Sequence, residues 1–134
     1  MTTEEKDLLL RDLCGRLSYG VKVICEHWDY DRDYDFTTIE TLIGIDDKFL
    51  YTIDKNGNKD SYSYTEPLSP LKPYLRPMTS MTEEERQIYE NMHYYYQPHI
   101  IQDWLNAHHF DYRGLIEKGL AIKVTEENNP YERK

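Results

Sequence analysis

A chain of 134 residues with 25 acidic and 16 basic side chains carries a formal charge of −9. It has room for one hydrophobic core, read as a single domain over 1–134, and its charge argues against general attraction to phosphate backbones. It contains no run of eighteen apolar residues, and Met1-Thr2-Thr3-Glu4-Glu5-Lys6-Asp7 is acidic where a secretory leader is basic and then apolar, so a cytoplasmic protein without a membrane partner is expected.

Thr2 with Glu5 three positions on has capping-box spacing, and Leu10, Leu13, Cys14 and Leu17 follow at helical intervals, which predicts a first helix ending near Leu17. Ser18-Tyr19-Gly20 is turn chemistry. Val21–Cys25 then alternates as a strand with Val21, Val23 and Cys25 on one face. A second extended run, Thr37–Ile45, leads through Asp46-Asp47 to a strand at Phe49–Ile53, and Asn56-Gly57 predicts a hairpin returning along Ser61–Thr65. The result is a meander of about four strands.

Pro67, Pro70, Pro73 and Pro77 then predict an ordered crossing segment that is neither regular helix nor central strand. Thr82 before Glu83, Glu84 and Glu85 caps a helix whose inner face is expected to hold Ile88, Met92 and Tyr95. Pro98 suits the first turn of another helix, with Ile100, Ile101, Trp104, Leu105 and His108 as its core stripe and Trp104 at the centre. Asp111 is placed to cap a short last helix ending at Lys118-Gly119, before a closing strand at Leu120–Val124. From about Thr125 the tail is polar and expected to fray. The fold class is therefore α+β, with an N-terminal helix, a small, mostly antiparallel sheet, two or three C-terminal helices and a closing strand.

Chemical motifs are sparse. Asp29, Asp31, Asp33 and Glu40 have the ligand spacing of a calcium-binding EF-hand loop, but Tyr34 stands where glycine is required and the flanks read as strands, so a long, solvated acidic hairpin loop is expected. Cys14 and Cys25 lack Cys-x-x-Cys spacing and read as reduced, packed thiols. Cys25 and His27 share a strand face without a third orienting group, and His99, Asp103 and His108 form no complete ligand set. The pair His108-His109 beside Phe110 is read as structural capping. Nucleophile-elbow, phosphate-loop and zinc-protease patterns do not occur, and neither catalytic residues nor a cofactor are assigned. The adjacent basic pair Arg133-Lys134 is terminal and reads as solvated.

Tyrosine is the compositional outlier, with 13 residues against 2 Trp and 3 Phe, and its amphipathic ring suits half-buried seams and recognition surfaces. Three consecutive side chains on one helix cannot all turn inward, so Tyr95 is expected to be buried while Tyr94 or Tyr96 faces out.

The block Trp104–Ala121, with Leu8–Val23 and Lys72–Glu84, resembles a family of small proteins of gut Bacteroides-type bacteria, their phages and mobile elements. The blocks lie near the start, middle and end, so the resemblance spans the whole chain as one unit. The family has no known activity, and the resemblance implies an accessory role of phage or mobile-element origin. The expectation is a cytoplasmic accessory or adaptor protein acting by protein–protein interaction, with Tyr30, Tyr34, Tyr94 and Tyr96 as candidate surface and no direct nucleic-acid binding. An alternative from a different class is an acidic inhibitor that mimics nucleic acid toward a DNA- or RNA-binding host protein, which requires carboxylates spaced like phosphates over a continuous face.

Overall fold

The capping box forms as its spacing predicts: Glu5 N donates to Thr2 Oγ1 and Thr2 N donates to Glu5 Oε1, each at 3.0 Å. The helix it starts, α1 (Thr3–Arg16), opens a computed structural model that describes residues 2–64 and 71–132. Thr65, Pro67, Leu68, Pro70 and the Arg133-Lys134 pair lie outside the described residues. The buried positions of α1 are Leu9, Asp12, Leu13 and Arg16, one step round from the expected Leu10, Leu13, Cys14 and Leu17. Asp12 and Arg16 neutralise each other at 2.7 Å, which lets a polar pair occupy the inner face. Cys14, expected to pack, is consequently exposed, whereas Cys25 is buried.

Strands β1 (Lys22–Asp29), β2 (Tyr34–Ile45), β3 (Phe49–Ile53) and β4 (Lys59–Ser63) form the expected antiparallel meander. Aspartates set its turns. Asp46 Oδ1 accepts from the Lys48 and Phe49 amides, and Asp54 Oδ1 accepts from those of Asn56 and Asn58, with Gly57 at φ +87°.

The proline segment corrects the expectation of a crossing connector, because Leu71–Pro77 is a strand, β5, at the heart of the sheet. It pairs antiparallel with β1 through Leu71–Pro73, and two short parallel strands, β6 (Phe110–Asp111) and β7 (Ile122–Lys123), add to its later residues. The prolines are tolerated for a geometric reason. Successive residues alternate the side to which their backbone groups point, and the Tyr74 carbonyl points to the β1 side, so the nitrogen of Pro73 faces away from β1, where β7 pairing begins only at Tyr74. Pro77 ends the strand.

Helices α2 (Glu83–Tyr95) and α3 (Pro98–Ala107) complete the α+β architecture around a mostly antiparallel sheet that has seven strands among the described residues. The expected last helix is instead a run of turns. Asp111 does act as its anchor, accepting from the Leu115 and Ile116 amides at 2.9 and 3.0 Å, and Gly119 at φ +74° turns the chain into β7.

One core lies between α1 and the sheet, where Leu9 and Leu13 meet Val21, Val23, Leu42, Leu50, Leu71, Leu75 and Leu115. Each such side chain contributes about 1.5–3 kcal/mol on burial. A second core gathers Met92, Ile101, Leu105 and Phe110, with Tyr89 and Trp104 half-buried beside it. Here α2 is rotated from the expected phase. Its inward residues are Tyr89 and Met92, with Glu85 drawn in by Arg76, while Ile88 and Tyr95 face solvent. In α3, Ile101 and Leu105 are buried, but Ile100 is exposed and Trp104 covers the rim of this core by stacking on Phe110 at 5.7 Å. Arg16 Nη2 joins the two cores by donating to the Phe110 carbonyl at 2.6 Å.

Candidate interaction site on the β1–β2 arm

Strands β1 and β2 are longer than their neighbours. Among the described residues β5 meets β1 only as far as Cys25 and β3 meets β2 only from Thr41, so residues 26–29 and 34–37 pair solely with each other. Among the described residues they form a two-stranded arm beyond the sheet. Its turn is short. Asp29 Oδ1 accepts from the Asp31 and Arg32 amides at 3.0 and 3.2 Å, Asp33 N donates to the Asp29 carbonyl at 2.8 Å, and Asp33 takes a left-handed φ of +57°. The expected long acidic loop is thus a four-residue turn, 30–33.

The arm carries aromatic side chains on both faces. Tyr34 and Phe36 continue the core face with His27, whose ring stacks on Phe36 at 4.9 Å, while Trp28 lies on the opposite face with Tyr30 edge-on at 6.5 Å. Their relative exposures, 42% for Trp28, 87% for Tyr30, 43% for Tyr34 and 38% for Phe36, mark apolar surface open to solvent. Around them, residues 26–37 hold five carboxylates, Glu26, Asp29, Asp31, Asp33 and Asp35, against the single Arg32.

A buried polar cluster fixes the root of the arm. Glu40 on β2 is 4% exposed and accepts from Thr52 Oγ1 at 2.5 Å, Tyr62 Oη at 3.1 Å and the neighbouring Thr38 hydroxyl. His27 Nε2 lies 3.2 Å from Glu40 Oε2, the oxygen that Thr38 and Tyr62 also meet, and 2.8 Å from Thr38 Oγ1, which places the ring proton on Nε2. Burial pushes the Glu40 carboxyl up, but the combined bonds from Thr38, Thr52, His27 and Tyr62 outweigh it, so the net shift is downward. Burial likewise pushes the Cys25 thiol up to about 12, which keeps it protonated and unreactive at neutral pH. Glu40 is therefore the third group beside Cys25 and His27 that spacing alone did not provide, and it makes the trio a structural brace. It also removes the twelfth position of the calcium-like pattern, since Glu40 is committed inside the sheet. Among the described residues no group of three His, Cys, Asp or Glu side chains is placed to hold a metal ion.

Tyr94 and Tyr96, the other sequence-derived candidates, stand at the end of α2, 84% and 54% exposed, with Tyr95 outward beside them at 6.5 Å from the Tyr94 ring. The four candidate tyrosines thus fall into two groups, at the arm tip and at the α2 terminus. His108 Nδ1 bonds the Trp104 carbonyl at 2.9 Å, in keeping with a capping role. Trp28 and Phe36 were not singled out from sequence, although their alternation with Tyr30 and Tyr34 through an acidic stretch was the signal that could have found them. No helix among the described residues is long and apolar enough to cross a membrane. The chain matches no family model, no curated protein and no solved structure.

Proposed function

We propose that this protein is an accessory or adaptor module that engages a protein partner through the β1–β2 arm, with Trp28, Tyr30, Tyr34 and Phe36 as anchors. The observation that carries this reading is the arm itself: a two-stranded hairpin is marginal in water on its own, yet this one displays four aromatic side chains on a root braced by Glu40. Exposed aromatics on a rigid support are the residue type that dominates interface energetics, and the surrounding carboxylates select a partner surface that is apolar at its centre and basic at its rim. The Bacteroides-type, phage or mobile-element setting accords with an accessory role and rests on the sequence resemblance. A protein partner is favoured over nucleic-acid mimicry because many carboxylates are used internally: Asp12 and Glu40 are buried, and Asp46, Asp54 and Asp111 cap backbone amides.

Affinity capture with tagged protein from lysate of the source cells tests the proposal. The parent should retain a partner that is lost from a Trp28→Ser/Tyr30→Ser variant of unchanged melting temperature, since losing one aromatic anchor costs about 2 kcal/mol or more, roughly thirtyfold in affinity. Added salt should weaken the complex. Retention by the arm variant, with loss from Tyr94→Ala/Tyr96→Ala, would move the site to α2.

A further inference from the structure

The segment that composition marks as a loose tail is tied to the body of the protein through Val124 and Tyr131 and closed on itself between them. Val124 N donates to the Leu75 carbonyl at 2.9 Å, and Thr125 and Asn128 close a reciprocal turn, with Thr125 N donating to Asn128 Oδ1 at 2.9 Å and Asn128 N to Thr125 Oγ1 at 3.2 Å. Tyr131 then inserts between strands. Its hydroxyl accepts from the Lys22 amide at 3.0 Å and donates to the Tyr74 carbonyl at 2.7 Å, which are the groups of the β1–β5 rung next to the Val23–Pro73 pair. A side-chain hydroxyl thereby bridges two strands where the ladder stops.

The Tyr131 ring lies flat on His109, with centroids 3.7 Å and planes 9° apart. His109 is held in an uncommon conformation for a side chain of its size, at φ +62°, by the bond from Arg76 N to its carbonyl at 2.7 Å. Its Nδ1 is buried and has no hydrogen-bond partner among the described residues. Beside this stack is an open cavity of about 810 Å³, bounded by Arg76, His108 and Lys123 on the body and by Thr125, Glu126 and Tyr131 on the tail.

We propose that residues 124–132 form a strap latched over this cavity by Tyr131, and that protonation of the His109 imidazole releases the latch. The charges around the ring decide the direction. Arg16 faces it from α1, shared with Asp12; Lys22 faces it from β1; Arg76 faces it from β5, shared with Glu85; and His108 is adjacent. Lys123 of β7, with Glu126 and Glu132 of the strap, borders the same cavity. Burial first, then Arg16, His108, Arg76 and Lys22, hold His109 down at about 4. The face of the Tyr131 ring offers an imidazolium some attraction, but a buried proton beside several cations is relieved only when the ring reaches water. Leaving Tyr131 provides that water and re-solvates the Lys22 amide and the Tyr74 carbonyl.

Because the latched state depresses the pKa, it is favoured fully above the ordinary histidine value and loses ground as pH falls through the window down to about 4. If the released ring regains its ordinary value near 6.5, the ratio of released to latched protein rises by up to about 300-fold across that window.

Nuclear magnetic resonance of the full chain from pH 7.5 to 3.5 tests this. The His109 ring, the Tyr131 ring and the Lys22 amide should titrate together while the Leu9 and Leu13 amides stay native. In His109→Asn, which tolerates a left-handed backbone, the Tyr131 and Lys22 transition should vanish. In Tyr131→Phe, which keeps the stack but loses both hydrogen bonds, the His109 midpoint should rise toward 6.5. The proposal is overturned if the Tyr131 and Lys22 transition persists in His109→Asn, which would assign it to Glu126 or Glu132. It is equally overturned if the His109 midpoint is unmoved in Tyr131→Phe, or if His109 titrates without Lys22 responding.

Discussion

Replacing Asp12 by alanine should cost more than replacing its partner Arg16 by methionine, although both belong to one ion pair. Arg16 donates through Nε and Nη2 to the two Asp12 oxygens at 2.7 and 3.1 Å, and both side chains are fully buried. Asp12→Ala strands a guanidinium left, among the described residues, with the Phe110 carbonyl as hydrogen-bond acceptor and the Tyr112 ring face at 5.2 Å, and a buried charge that has lost its counter-ion costs about 3–5 kcal/mol. In a chain of this size that lowers the melting temperature by roughly 10–20 °C. Arg16→Met leaves Asp12 with Arg113 Nη1 at 2.9 Å, whose side chain is 17% exposed and reaches water, so the loss should be about 1–3 kcal/mol. Methionine also refills the apolar volume. The double variant Asp12→Ala/Arg16→Met removes both charges and should return to within about 2 kcal/mol of the parent. Urea unfolding followed by far-ultraviolet circular dichroism measures all three. Equal losses for the two single variants, or a double variant that sums them, would refute the claim that burial of charge governs this site.

Further outcomes follow from other parts of the fold. The two Arg76 nitrogens at 2.9 and 2.7 Å hold the Glu85 carboxyl at about 2, below its unfolded value, so this clamp stabilises fully above pH 4.5 and is lost as pH falls through about 2. Stability against pH between 4.5 and 2 should therefore be flatter in Glu85→Gln, and an unchanged slope would contradict the assignment. A thiol reagent at pH 8 should modify exposed Cys14 quickly and buried Cys25 only after unfolding; rapid loss of both thiols, or of one in Cys14→Ser, would disprove it. Phe110→Ala should cost about 3–5 kcal/mol and half-buried Trp104→Ala somewhat less, about 2–4, an order that thermal melts can check.

What the sequence determined by itself was local and periodic. The Thr2–Glu5 and Thr82–Glu85 capping boxes, the Asn56-Gly57 turn, the proline opening α3 and the alternation of Val21, Val23 and Cys25 depend on neighbours within a few residues, where backbone geometry leaves few options. The arm was half legible: Tyr30 and Tyr34 stand out in an acidic stretch, but the length of β2 that runs on past Thr41, toward Tyr34, without β3 depends on where β3 pairs, which no single strand encodes. Helix phase went the same way. Asp12 and Arg16 are inward because they meet each other, Arg113 and the Phe110 carbonyl, and apolarity alone placed the α1 stripe one residue away. Likewise Pro73 sits inside a sheet because its missing donor faces a side with no pairing at that residue. Glu40 also needs Thr52, 12 residues on, His109 needs the Tyr131 ring, and Tyr131 reaches Lys22 across 109 residues. Polar groups enter a fold only with specific partners, and those partners are chosen by the assembled chain, so tertiary structure alone decided where this protein's charges and tyrosines would act.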